Sequence, residues 1–156
     1  MTQALAGLRR AGPADADAIR RLTRAVYAKW IAAIGREPFP MAADYAAAVR
    51  AHWIDILEDD AGLAAAIEMS PAADHLLIEN IAVREDRQGL GLGSALLAHA
   101  EVLARAHGLA ELRLYTNAAF ASNVTFYRAR GFTESGRTPL PDGGTTVHFA
   151  KPVSQS

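Results

Sequence analysis

The stretch Arg87-Gln88-Gly89-Leu90-Gly91-Leu92-Gly93 places three glycines within five residues of a chain otherwise rich in alanine and leucine. Glycine in or beside regular structure costs roughly 0.5–1 kcal/mol relative to alanine, so the run implies that something approaches the main chain closely. A strand-like segment, Leu76–Val83 (LLIENIAV), precedes it, and a helical pattern follows. Strand, glycines and helix start together make an anion site, because first-turn N–H groups lack internal partners and the helix dipole is positive there. Bare backbone at Gly89, Gly91 and Gly93 would let a phosphate reach those donors. A P-loop needs a lysine after its last glycine, and Ser94-Ala95 stands here instead. A G-x-G-x-x-G dinucleotide loop counted from Gly89 meets Ser94 where its third glycine belongs, although Glu111 lies at a tolerable distance for a ribose partner. The pattern that remains is Q-x-x-G-x-G, met by Gln88, Gly91 and Gly93.

Other residue types narrow the chemistry. Glu79 is a carboxylate inside the otherwise apolar Leu76–Val83 segment: a solvent-edge residue, one satisfied by a core partner, or a working group. Strand alternation places it on the face of Ile81 and Val83, with Asn80 opposite as a structural residue. Cysteine is absent, which excludes disulfides, thiolate zinc sites and cysteine nucleophiles. His52, His75, His99, His107 and His148 have no metal-ligand spacing and read as surface or cap residues, His75 at the mouth of the strand being the one to watch. Ser94 precedes Ala95 rather than completing G-x-S-x-G, so a serine hydrolase finds no support. Tyr27, Trp30, Phe39, Tyr45 and Trp53 suit a core equally well as a pocket wall.

The elements that must position these groups follow from periodicity. At 156 residues, 51% hydrophobic and 21% charged, the chain reads as one domain, 1–156. A net charge of −1 offers nothing to nucleic acid or an anionic membrane, and the lack of a signal-like apolar run predicts a cytoplasmic protein. Leu5–Arg10 is a candidate strand. A helix starts at Pro13 with Asp15 and Asp17 near its positive end, and Ile19, Leu22, Val26 and Trp30 carry it to Trp30 or Ile34. An irregular loop over residues 35–40 leads to a short helix over 42–50. Trp53–Glu58 and Leu63–Met69 form a hairpin, and Leu76–Val83 follows as the clearest strand. Leu92, Leu96, Leu97, Ala100, Leu103 and Ala104 make one helical stripe ending at Gly108. Strand 110–116, a helix over 122–130 ending at Gly131, and strands 132–137 and 145–151 complete the order β-α-α-β-β-β-α-β-α-β-β, an α/β (α+β) mixed sheet covered by helices.

The segment Gln88–Leu97, directly after IENIAV, resembles the coenzyme A motif of the GCN5-related N-acetyltransferases (GNAT). Phe126-Tyr127-Arg128-Ala129-Arg130-Gly131-Phe132 is similar to the family's late F-Y-x-x-x-G-F segment, and the element order matches from about Asp55 to Lys151. The resemblance implies a GNAT-like fold and acetyl-CoA as co-substrate, with no metal. Backbone groups of Ile81, Ala82 and Val83 would meet the pantetheine arm, and amides of Gln88, Gly89, Leu90, Gly91, Leu92, Gly93 and Ser94, next to Arg87, would hold the pyrophosphate. It also implies Tyr127 as the acid that protonates the departing thiolate and Glu79 as the base. The family commonly has an asparagine seven residues before that tyrosine; Phe120 stands there, flanked by Asn117 and Asn123, which become the candidate cofactor contacts. On the acceptor side, Tyr27, Trp30 and Phe39 are the candidate substrate-binding residues.

The expected reaction is direct attack by a primary amine, of a small molecule or a peptide, in a ternary complex, since no cysteine can carry the acyl group. A lysine-like amine with reference pKa ~10.4 is free in only about one molecule in 2,500 at pH 7, whereas an α-amino group near ~7.8 faces a much smaller deficit. A base therefore matters most for the first kind of acceptor. A non-catalytic acyl-CoA binding module is the alternative, and another nucleotide-binding protein a weaker one; a homodimer is left open.

Overall fold

The computed structural model describes residues 6–154. Seven strands form one sheet in the order β1-β2-β3-β4-β5-β7-β6. They are β1 (Arg9–Arg10), β2 (Trp53–Asp59), β3 (Gly62–Pro71), β4 (His75–Val83), β5 (Glu111–Asn117), β6 (Thr133–Pro139) and β7 (Thr145–Pro152). Every pairing is antiparallel except β4 with β5. The first strand is shorter than the 5–10 segment expected, and Leu5 lies outside the described residues. Among the described residues no helix is long and apolar enough to cross a membrane.

The first helix, α1 (Ala16–Tyr27), passes through a tight turn at Ala28–Trp30 into α2 (Ile31–Ile34), and Gly35, at φ 73°, stops it. Phe39 and Pro40, expected in a loop, begin a single turn, α3 (Phe39–Ala42), because Pro38 and Pro40 fix backbone angles that suit a helix start. The second helix accordingly begins later, as α4 (Tyr45–Ala51), where the Asp44 side chain accepts the Ala47 N–H at 3.1 Å. Helix α5 (Leu92–Ala106) follows the glycine segment, and α6 (Ala121–Ala129) lies between β5 and β6.

Two apolar cores sandwich the sheet. Ile67, Met69, Leu76, Ile78, Leu112 and Phe149 pack with Leu96, Leu97 and Ala100 of α5. Ile54, Ile56, Ala66 and Ala82 pack on the other face with Ile19 and Leu22 of α1 and with Tyr45 and Ala48 of α4. Burying each large aliphatic side chain is worth roughly 1.5–3 kcal/mol, so both faces clamp the sheet firmly.

One irregularity in this frame decides the site. Glu68 pairs with Asn80, but Met69 pairs with Ile78, so Glu79 is an extra residue bulged out of β4. Below the bulge, Leu76 and Ile78 face α5; above it, Ile81 and Val83 face α5 while Ala82 faces α1. Regular alternation across Glu79 therefore fails. Pairing of β4 with β5 also ends at Ile78–Leu114, so the two strands part where the bulge begins.

Candidate active site

The parted strands lie between two cavities. The first, of about 460 Å³, is lined by the glycine segment and the start of α5, by Ile81 and Val83, and by Ser122, Asn123, Phe126, Tyr127 and Arg130. The second, of about 420 Å³, includes Phe39, Tyr45, His52, Glu68, Glu79 and Asn80 among its walls. Tyr27 lines both, donating its hydroxyl to Asn80 Oδ1 at 2.7 Å.

The glycines of the first cavity have different reasons. Gly89 (φ 78°) and Gly91 (φ 87°) adopt left-handed backbone that L side chains rarely enter, with open space where a Cβ would go. A Cβ on Gly93 would instead sit 2.9 Å from Phe126 Cζ, so this glycine admits an α6 ring against α5. Gly91 is the N-cap of α5, and Ala95 makes the first internal bond, to Gly91 O at 3.0 Å. The N–H groups of Leu92, Gly93 and Ser94 consequently head the helix without helical partners. Lys29, Arg87 and Arg130 add positive charge around the same cavity. Arg87 donates to Asp59 at 2.9 Å, while its buried Nε has no hydrogen-bond partner among the described residues. Arg84 donates to the same carboxylate at 2.5 Å and holds Asp59 down at a pKa of about 2. Free first-turn donors, left-handed glycines and an unsatisfied arginine nitrogen together fit a diphosphate.

The edge of β4 suits an extended amide chain beside it. Arg84 N–H donates to Ala64 O, directly opposite it, which makes Ala82–Ala66 and Asn80–Glu68 the hydrogen-bonded pairs with β3. The main-chain groups of Ile81 and Val83 therefore point toward the gap, where Gln88 Nε2 reaches Val83 O at 2.8 Å. Those of Ala82, expected in the cofactor site, belong to the β3 ladder, and its side chain is buried under α1.

The F-Y-x-x-x-G-F segment is a helix stop with a purpose. Gly131, at φ 92°, lets its own N–H bond Arg128 O and the Phe132 N–H bond Tyr127 O. That folds the Phe132 ring back against Tyr127, 5.8 Å between centroids, with Phe126 edge-on at 5.4 Å. Burial raises the Tyr127 hydroxyl to a pKa of about 12, so it remains a neutral proton donor. Arg130 covers the Phe126 ring at 3.7 Å and donates to Ser94 Oγ at 2.6 Å, tying α6 to the head of α5.

In the second cavity Glu79 accepts from Ser70 Oγ at 2.7 Å and from the Tyr115 hydroxyl at 3.1 Å. His52 Nδ1 lies 2.6 Å from Glu68 Oε2, and its Nε2 is 3.7 Å from Glu79 Oε2. Burial pushes the Glu68 carboxyl up, against the pull of His52. Arg36 meets Asp142 at 2.9 Å, so the loop after α2 is joined to the β6–β7 turn over the cavity.

Several expectations change accordingly. Glu79 and Asn80 share the second cavity, rather than Glu79 facing with Ile81 and Val83, because the bulge resets the alternation. Asn117 also lines this cavity, its Oδ1 taken by the Ala119 N–H at 2.9 Å; Asn123 lines the first. Leu90 is 70% exposed and lines neither. Trp30, expected at the acceptor, lines the first cavity and stacks at 4.6 Å on Phe120, which lines the second. Tyr27 and Phe39 do line the second. His75 pairs with Asp74 at 2.7 Å, at the opposite end of β4 from Val83. His52, expected as a surface or cap residue, instead lines the second cavity against Glu68, a residue that sequence reasoning missed although its carboxylate lies inside the apolar Leu63–Met69 run as Glu79 does inside its own strand.

The model of the acetyltransferase (GNAT) family matches residues 19–132. The chain belongs to that family. Similar solved structures include a putative GNAT-family acetyltransferase from Desulfovibrio desulfuricans, 23% identical, TM-score 0.78, with 94% of this chain and 98% of that one covered. Nourseothricin acetyltransferase is 26% identical over 94% and 98% of the two chains, TM-score 0.73. PaiA N-acetyltransferase from Thermoplasma acidophilum, in complex with coenzyme A, is 17% identical over 93% and 97%, TM-score 0.78. Among curated proteins none matches closely enough to count as a relative.

Proposed function

We propose that this GNAT acetyltransferase moves an acetyl group from acetyl-CoA to the primary amine of a cationic small molecule by direct attack in a ternary complex. The observation that carries the reading is the parting of β4 and β5 between two unlike cavities, with Glu79 and Asn80 lining one and Ile81 and Val83 lining the other. Amides of Leu92, Gly93 and Ser94, with Arg87, hold the pyrophosphate in the first cavity, and Ile81 and Val83 hold the pantetheine arm. Bound there, acetyl-CoA supplies a thioester carbonyl. Main-chain N–H of β4 is available to the acyl oxygen as charge develops. Glu79 takes a proton from the amine, and Tyr127, neutral across ordinary pH, gives one to the leaving sulfur. A cavity of about 420 Å³ that holds two carboxylates and is bridged by Arg36–Asp142 favours a small ammonium acceptor over a long peptide.

Thiol release from acetyl-CoA with a panel of amines tests the reading, alongside thermal shifts with coenzyme A and with NAD. Turnover with aliphatic amines and a shift from coenzyme A alone are expected. A shift without turnover of any amine would make the protein a binding module; a shift from NAD alone would keep a diphosphate site there but replace coenzyme A, and with it the acetyl transfer, by a dinucleotide.

A further inference from the structure

Amide formation from an ammonium releases a proton that the enzyme has to put somewhere. The N–C bond forms and the C–S bond breaks. Of the two protons the nitrogen sheds, one leaves on the thiol and one goes to solvent. Glu79 is an awkward last stop for the second. Ser70 and Tyr115 donate to its two oxygens, an arrangement made for the carboxylate form. A proton arriving there needs a next acceptor.

We propose that the Glu68–His52 pair is that acceptor: His52 relays the amine's proton from Glu79 to solvent, which suits the site to strongly basic alkylammonium acceptors. This rests on the acetyltransferase reading above. A Glu68 carboxylate 2.6 Å from Nδ1 selects the tautomer with its proton on Nδ1, which leaves the Nε2 lone pair on the side of Glu79, 3.7 Å from Oε2. That separation is too long for a hydrogen bond and short enough for one to form when either side chain turns. Side-chain exposure is 20% at Glu79 and 31% at His52, so the imidazole is the wetter end of the pair. Glu68, at 11%, is the drier partner that orients it. The titratable groups facing His52 are Glu68 of β3 and Glu79 of β4; Tyr45 of α4, Tyr27 of α1, Tyr115 of β5 and His148 of β7 line the same cavity. His52 acts through Glu79, as a positioning and proton-carrying residue.

The test uses two acceptors of similar size, an alkylamine with pKa ~10.4 and an amine with pKa near ~7.8. It compares wild type, His52→Gln and Glu68→Gln at pH 7, with imidazole added to His52→Gly. His52→Gln should lose about tenfold or more in kcat with the alkylamine, less than the ~10²–10⁴-fold of a group that takes the proton directly, and under about threefold with the weaker base. Glu68→Gln should show the same split, smaller, since an amide oxygen still accepts from Nδ1–H. Imidazole should restore the alkylamine rate of His52→Gly. Equal losses on both acceptors in both variants, with no imidazole rescue, overturn the relay and leave the acetyltransferase reading intact. A wild type that acetylates neither amine nor any other primary amine overturns both.

Discussion

Gly91 and Gly93 look equivalent in the motif, yet the structure gives them opposite failures. Gly91 sits at φ 87° and ψ 5°. An L-residue there is strained by roughly 1–2 kcal/mol, and a β-branched one by at least that. Nothing lies within 4 Å of its Cβ position, so Gly91→Val creates no internal clash. For a chain of this size each kcal/mol moves Tm by roughly 2–4 °C, so Gly91→Val should melt at least about 2–8 °C lower. Its branched side chain should also exclude the pyrophosphate and weaken coenzyme A binding at least about tenfold. Gly93 has helical backbone, where alanine gains up to about 1 kcal/mol of helix propensity. Its Cβ, however, would lie 2.9 Å from Phe126 Cζ, some ~0.6 Å inside carbon–carbon contact. Overpacking of that kind costs about 1–3 kcal/mol, so the net change in Gly93→Ala falls between about zero and 3 kcal/mol of destabilisation. Phe126 cannot move freely, with Arg130 over its face and Tyr127 at its edge, so the displacement should reach Tyr127 and lower kcat. Thermal melts, calorimetric coenzyme A affinity and kcat separate the two variants. Unchanged affinity in Gly91→Val would refute the phosphate assignment. A Gly93→Ala protein that melts 2–4 °C higher with unchanged kcat would refute the confinement of Phe126.

Four further outcomes follow from the same geometry. Glu79→Gln should lose more kcat/KM at pH 6.5 than at pH 9.5, where free amine is already abundant; a uniform loss would make Glu79 an acceptor-binding charge. Tyr127→Phe keeps the packed ring and should lower kcat by about 10²-fold or less, with a smaller loss for an acyl donor whose leaving thiol is more acidic. Because burial holds the Tyr127 hydroxyl near 12, its protonated form persists below that value, so deprotonation of Tyr127 should produce no falling limb in wild-type kcat up to pH 10. Asp59→Asn removes the carboxylate that Arg84 and Arg87 share, so KM for acetyl-CoA should rise several-fold with kcat nearly unchanged.

What the sequence made legible is what local backbone chemistry determines. The head of α5, the stops at Gly108 and Gly131 and the run of strands were all readable, because a left-handed glycine or an apolar period leaves its mark within a few residues. The Gly93 contact with Phe126 was not, since it joins two helices distant in the chain. His52 and Glu68, sixteen residues apart, meet only through the α4–β2 connection and the β2–β3 hairpin. Asn117 was expected at the cofactor because it flanks Phe120, which stands where the family has an asparagine, but its position at the end of β5 puts it on the other cavity. Trp30 was expected on the acceptor side with Tyr27 and Phe39, but the tight turn at Ala28–Trp30 sets it on the first cavity, a change of direction that leaves no mark in the sequence.

The bulge at Glu79 was the least legible feature and is the one on which the site depends. A two-residue period carried through LLIENIAV puts Glu79 in step with Ile81 and Val83, so base and cofactor-binding backbone would share one face, with nothing to separate acceptor from donor. The inserted residue changes the phase. Glu79 and Asn80 turn to the second cavity, Ile81 and Val83 line the first, and β4 leaves β5 after Ile78. The gap thus opens at the one place on the strand where consecutive residues serve different cavities. That places a carboxylate and a free main-chain edge within two residues of each other across the opening, the arrangement the proposed transfer uses, with the amine losing its proton on one side and attacking a carbonyl on the other.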